Sequence, residues 1–171
     1  MTVHTLSKNL ALLKSLHPKA YEIINNTQSS LEYEISLSQS GAPTLSHLGA
    51  QGKKKYLLSK YDPVREASRL IESLNIGETT NFIVVGMGLG YQVMELIRIA
   101  PEHSKIVVIE NDRHLSRLAF ETNDLNQFLT HPGLTLIFPN QTEDAIAVLE
   151  EEKVNFSLNG YRLIQQNALS E

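Results

Sequence analysis

NFIVVGMGLGYQVMEL, from Asn81 to Leu96, places an apolar strand, glycines at Gly86, Gly88 and Gly90, and a helical pattern in immediate succession. Where a strand turns sharply into a helix, a side chain would hold a ligand away from the backbone amides. Glycine removes this obstacle, so the segment predicts a loop that binds a phosphate, ribose or nucleoside. The alternative is that the glycines only allow a tight turn to pack closely.

The same alternation continues along the chain and predicts a Rossmann-like α/β fold. Apolar runs predict parallel strands near residues 81–86, 105–110 and 134–138, and amphipathic runs between and after them, the last at 142–152, predict helices. Continuously apolar strands need helices on both faces, and short connections favour a right-handed parallel arrangement. We therefore expect a three-layer core over about residues 62–153.

The region before this core has a different pattern and predicts a small α+β extension. Leucines at helical spacing are interrupted at His17-Pro18, which predicts a kinked helix or a helical hairpin. Alternating apolar and polar residues between about residues 28 and 60 predict a β-meander, with TLSHL and KYLLS as its later strands. Asp62 can then cap the helix that opens the core.

Length limits the chain to one domain of ordinary size and a small appendage. We divide its 171 residues into an extension at 1–61 and a Rossmann-like domain at 62–171. The tail from Val154 can hold one more strand or helix, which the pattern does not place.

Composition excludes several classes of function. A net charge of −4 does not provide the basic face that nucleic-acid binding needs. No apolar stretch reaches the roughly 20 residues of a membrane span or forms a signal-peptide core. The chain has no cysteine, and its six histidines are scattered without metal-site spacing. We expect a cytoplasmic protein without a metal, a nucleic-acid partner or a membrane contact.

Glu110 ends the second predicted parallel strand, where an acidic residue commonly accepts hydrogen bonds from ribose hydroxyls. Two vicinal hydroxyls match the two oxygens of a carboxylate. The predicted ligand is a nucleotide or nucleotide sugar, with its phosphate over the amides of Gly88 to Tyr91 and its ribose against Glu110. The alternative is a solvated acid that closes the strand, and Asp112 is expected to cap the next helix.

The glycine loop also resembles that of class I methyltransferases. In those enzymes an acidic residue usually stands two positions before the first glycine, where it helps to hold S-adenosylmethionine. Val84 takes this position here. S-adenosylmethionine is therefore the less favoured cofactor.

Three segments resemble a known bacterial family: LLSKYDPVREASRLIE, FIVVGMGLGYQVMELI and IVVIENDRHLSRLAF. They are similar to the amino-terminal domain of the motility accessory factors, which glycosylate flagellin with nonulosonic acids. The resemblance covers about residues 28–150, and its most specific part is Ser59–Ala67. It implies a Rossmann-like module that contains Gly86, Gly88, Gly90 and Tyr91, with flagellin or flagellar glycosylation proteins as partners. It implies no catalytic residue, because the family's glycosyl-transfer domain has no counterpart here.

Lys60 and Arg65 are candidate anion contacts beside this module. In a helix that begins at Pro63, Arg65 lies in the first turn, where it can meet an acidic sugar or phosphate. Alternatively, Arg65 is an ordinary surface arginine.

Three functions stay open: a nucleotide-, sugar- or partner-binding module of a flagellin glycosyltransferase, a methyltransferase-like enzyme, and a structural or interaction domain with an empty loop. We expect the first.

Overall fold

The computed structural model of the protein describes residues 2–49, 53–139, 146–147, 149–150 and 153–165. The helices are α1 (Thr2–Leu16), α2 (Pro18–Asn25), α3 (Pro63–Ser73), α4 (Tyr91–Ile99), α5 (Arg113–Thr122), α6 (Asn126–Leu129) and α7 (Lys153–Asn159). The strands are β1 (Tyr33–Leu37), β2 (Pro43–Leu48), β3 (Lys54–Tyr56), β4 (Asn81–Val85), β5 (Lys105–Ile109), β6 (Leu134–Ile137) and β7 (Arg162–Gln165). Most of the helix predicted at 142–152 lies outside the described residues.

The α/β class predicted from the sequence is confirmed. A parallel sheet has the order β6-β5-β4-β7, and a separate antiparallel sheet has the order β1-β2-β3. The three predicted parallel strands are β4, β5 and β6. Val84 of β4 lies opposite Val108 of β5, and Val108 in turn lies opposite Leu136 of β6. The fourth strand, β7, comes from the tail that the sequence pattern did not place. It lies beside β4, and of its four residues only Ile164 is buried, so its apolar signal is weak.

One face of the parallel sheet carries the main core. Phe82, Val84, Ile106 and Val108 pack there with α3, α4, α5 and α6. The same cluster includes residues from the first 61 positions: Leu13, Ala20, Ile24, Leu45 and Leu58. The helices α1 and α2 and the meander thus share one apolar core with the sheet. The division at residue 61 into two domains stays a prediction.

The opposite face of the sheet forms a smaller cluster. Ile83, Val107, Ile109 and Ile137 project to this side and pack with Phe156 of α7. An apolar cavity of about 390 Å³ opens between Ile83 and the segments around α7. Helices therefore cover both faces of the sheet, as a parallel sheet requires.

Hydrogen bonds from a buried asparagine fix α1 to the connection between α5 and α6. Asn9 is fully buried, and its Nδ2 donates at 2.8 Å to the carbonyl oxygens of Phe120 and Asn123. Its Oδ1 accepts the N–H of Leu125 at 3.1 Å. The network satisfies backbone groups that end one helix and begin the next.

The break predicted at His17-Pro18 separates two helices. Pro18 starts α2, and His17 has a non-helical φ of −135°. In the meander, TLSHL lies in β2 as predicted, but β3 ends at Tyr56, earlier than the segment KYLLS suggests. Leu58 is buried in the main core instead. Among the described residues, no helix is both long and apolar enough to cross a bilayer.

Candidate functional site

The glycine loop connects β4 to α4 at the carboxyl edge of the parallel sheet. Gly86, Gly88 and Gly90 have φ of 82°, 52° and 89°, in the left-handed region that favours glycine. A second constraint acts at Gly90, because a Cβ there would lie 2.9 Å from Leu125 Cδ2. The turn therefore favours glycine at these positions independently of any ligand.

Glu110 follows β5 directly, and its carboxylate is hydrogen-bonded by the protein backbone. Oε2 accepts the N–H of Met87 at 2.9 Å, and Oε1 accepts the N–H of Asp112 at 2.9 Å. The residue is only 6% exposed. Burial raises the pKa of Glu110, and the charge of Asp112 adds to this, although the amides of Asp112, Met87 and Gly88 lower it. A ribose at this position would have to share or replace these bonds.

The first turn of α4 has backbone donors without acceptors. In the described part of the chain, no hydrogen bond is formed by the N–H groups of Tyr91, Gln92 and Val93, and Gly90 offers no capping side chain. All three residues are buried. The Tyr91 hydroxyl donates to the carbonyl of Pro43 at 2.9 Å, and burial raises the pKa of Tyr91. The strand β2 thus contacts the predicted site directly.

Gln92 is a residue of this site that the sequence analysis missed. It is 9% exposed, and among the described residues its Oε1 has no hydrogen-bond donor. Gln92 is the second residue of α4, and because helical side chains point back towards the helix amino terminus, we expect its side chain on the side of the glycine loop. The sequence does contain a signal for Gln92, because it is a polar residue between Tyr91 and Val93 in the first helical turn after the glycines.

A second residue that the sequence analysis missed, Tyr33, joins the meander to the carboxyl edge of the sheet. Its hydroxyl donates to Asp112 Oδ2 at 2.5 Å. Partial burial and the Asp112 carboxylate both raise the pKa of Tyr33. Asp112 Oδ1 also accepts the N–H groups of His114 and Leu115, which confirms the predicted cap of α5. The meander therefore lies over the end of the sheet at which ligands bind in doubly wound folds.

The two candidate anion contacts, Lys60 and Arg65, lie at the start of α3. The Lys60 ammonium is 5.3 Å from the centroid of the Tyr61 ring. Asp62 caps α3 by accepting the N–H of Arg65 at 3.0 Å, as predicted. Arg65 itself is exposed, and no hydrogen bond within the described ranges joins either cation to the glycine loop. These contacts and the ligand-binding role of the loop stay predictions.

The part of the chain that the structure describes contains no set of side chains suited to bind a metal ion. No group of three or more His, Asp or Glu side chains there is arranged to hold an ion. The polar groups of the candidate site are backbone amides, Glu110 and Gln92, and the meander contacts the site through Tyr33 and Pro43.

Comparisons with known proteins identify a fold relationship. No family model matches the sequence, and no curated protein matches it. Among solved structures, the chain is similar to a MAf glycosyltransferase from Magnetospirillum magneticum AMB-1, with a TM-score of 0.63 and 14% sequence identity. The match covers 99% of this chain and 33% of that one, so the chain spans about a third of the length of the protein it matches. The chain shares its fold with part of that glycosyltransferase.

Proposed function

We propose that this chain is the amino-terminal recognition module of a flagellin glycosyltransferase of the motility accessory factor type. In this role it binds a protein partner, flagellin or another flagellar glycosylation protein, and contributes no catalytic residue. The shared fold with a MAf glycosyltransferase and the Ser59–Ala67 segment support the relationship. The glycine loop acts as a structural junction between the sheet, the meander and α4.

The shared fold carries the relationship, and the contact between Glu110 and the Met87 amide is the observation that supports a structural role for the loop. In a ligand-binding loop, the amides and the acidic residue would both face the ligand. Here the acid accepts hydrogen bonds from the loop itself and from Asp112, and it is almost fully buried. This arrangement favours a loop whose polar groups stabilise the turn.

Calorimetry with nucleotides tests the role of the loop. CMP, CMP-sugars, UDP-sugars and S-adenosylmethionine should show no saturable binding at millimolar concentrations. Nucleotide binding that Gly88→Val abolishes would contradict a purely structural loop, because the branched side chain would cover the amides. Titration with purified monomeric flagellin tests the partner directly, and the absence of a complex would exclude flagellin.

A second candidate function is anion or nucleotide binding at the first turn of α4. The unpaired amides of Tyr91, Gln92 and Val93, together with Gln92 Oε1, favour it. A ligand with both acceptor and donor groups would satisfy them. Gln92→Leu should then weaken nucleotide binding while leaving the Glu110 contact intact.

Methyl transfer has less support. Val84 occupies the position of the usual acid and is 1% exposed, with its side chain in the main core. The residue therefore offers no polar contact to a cofactor. Binding of S-adenosylmethionine in the calorimetry above would favour this alternative.

A further inference from the structure

A cavity of about 490 Å³ that is open to solvent lies outside the glycine loop, between α3, α4 and the turn that joins β1 to β2. Its lining combines two arginines, two acids and two serines: Arg65, Arg98, Asp62, Glu95, Ser40 and Ser68. The start of α3 and the helix α4 thus bring charged side chains to one concave surface, and the turn adds Ser40. A cavity of this size accommodates a small ligand.

The two arginines differ in how much of their hydrogen-bonding capacity is used. Arg98 Nε donates to Glu95 Oε2 at 2.9 Å, and its Nη2 lies 3.9 Å from Glu72 Oε1. In the described residues, the Arg65 guanidinium forms no hydrogen bond or ion pair. A guanidinium has five N–H donors in a planar fork. The cavity therefore presents unused cationic donors from Arg65, and further donors from the Nη groups of Arg98.

The acids of the cavity are already engaged. Asp62 Oδ1 accepts the N–H of Arg65 as the cap of α3, and Glu95 pairs with Arg98. The amino terminus of α3 adds positive potential near Arg65. An anionic group is consequently favoured beside Arg65. Ser40 Oγ is hydrogen-bonded to Ser38 Oγ at 3.0 Å, and Ser68 Oγ donates to Glu72 Oε1 at 3.1 Å. Hydroxyl groups of a ligand therefore suit the remaining acceptor capacity of these two serines and of the Glu95 carboxylate.

We propose that this cavity binds a small metabolite that carries one carboxylate or phosphate group together with hydroxyl groups. Arg65 forms the main contact with the anion, Arg98 supports it from α4, and the serines and Glu95 contact the hydroxyl groups. This inference goes beyond the proposed function, since it concerns neither the glycine loop nor Glu110. Its failure would leave the loop and partner experiments unaffected.

Nuclear magnetic resonance titration of the whole chain tests the proposal with three probes. Gluconate supplies a carboxylate and hydroxyls, glycerol 3-phosphate supplies a phosphate and hydroxyls, and glycerol supplies hydroxyls alone. We expect saturable shifts of the Arg65 and Arg98 signals with at least one anionic probe. The probe that binds more tightly identifies the anion as carboxylate or phosphate, and glycerol should bind far more weakly.

Arg65→Gln and Arg69→Gln form a matched pair for this titration. Both remove one exposed arginine charge from α3, but Arg69 does not line the cavity. Arg65→Gln should weaken binding by about tenfold or more, and Arg69→Gln should leave it within about twofold. Equal losses in the two variants, binding of glycerol as tight as that of the anions, or no saturable binding at millimolar concentrations would each overturn the proposal.

Discussion

The hydroxyl of Tyr33 donates a 2.5 Å hydrogen bond to Asp112 Oδ2 and so connects the meander to the amino terminus of α5. Asp112 caps α5 with its other oxygen, so one carboxylate serves two parts of the fold. This contact holds β1 over the carboxyl edge of the parallel sheet. It makes the meander part of the candidate site.

Tyr33→Phe should lower the free energy of unfolding by about 1 to 2 kcal/mol, because a partly buried hydrogen bond to a carboxylate is lost. Tyr61→Phe is the control, since Tyr61 is 57% exposed and should change stability by less than about 0.5 kcal/mol. Urea denaturation followed by circular dichroism measures both. Equal stability of the two variants would show that the contact to Asp112 does not stabilise the fold.

Gly90→Ala should be more destabilising than Gly41→Ala, although both glycines have nearly the same φ, 89° and 87°. Either substitution places alanine in the left-handed region at a cost of about 1 kcal/mol. Only at Gly90 does the new Cβ meet Leu125 Cδ2, whereas Gly41 has no atom within 4 Å. The additional cost of overpacking is about 1 to 3 kcal/mol. Thermal and urea unfolding of the two variants provide the comparison, and equal costs would contradict this prediction.

Asn9→Ala should cost about 3 kcal/mol of unfolding free energy, because it leaves the carbonyls of Phe120 and Asn123 and the N–H of Leu125 without their partner. Lys8→Ala is the matched control on the same helix. It removes a 2.6 Å ion pair with Asp124 that is about half exposed, worth about 0 to 1 kcal/mol. Urea denaturation should separate the two, and a loss in Asn9→Ala no larger than in Lys8→Ala would refute the role of the network.

The pH dependence of the unfolding free energy shows whether burial, which raises the pKa of Glu110, outweighs the backbone hydrogen bonds, which lower it. Burial raises the folded-state pKa of this residue. The unfolded state then ionises first as pH rises, so ionisation of Glu110 favours unfolding until the folded carboxyl also ionises. We expect the unfolding free energy of the wild type, relative to Glu110→Gln, to fall as pH rises above about 4 and then to level off. Urea titrations at several pH values measure it. A relative stability that rises with pH would mean that the backbone amides outweigh burial.

The sequence predicted those parts of the fold that depend on local pattern. The apolar runs of β4 and β5 are buried over most of their length, and half of the residues of β6 are buried. The caps Asp62 and Asp112 act at the start of their own helices. The strand β7 escaped prediction because it is short and at least half of its residues are exposed. For the candidate site, Glu110 was recognised as a polar residue at a strand end, but its hydrogen-bond partners were not.

The sequence by itself determined the α/β class, the position of the glycine turn and the absence of cysteine chemistry, since periodicity, backbone freedom and composition are local properties. Only the tertiary structure decided what the polar groups of the site contact. Met87 N and Glu110 lie 23 positions apart, Tyr33 and Asp112 lie 79 apart, and Asn9 and Leu125 lie 116 apart. Such pairs form because packing of the apolar core brings distant segments together and buries groups that must then find hydrogen-bond partners.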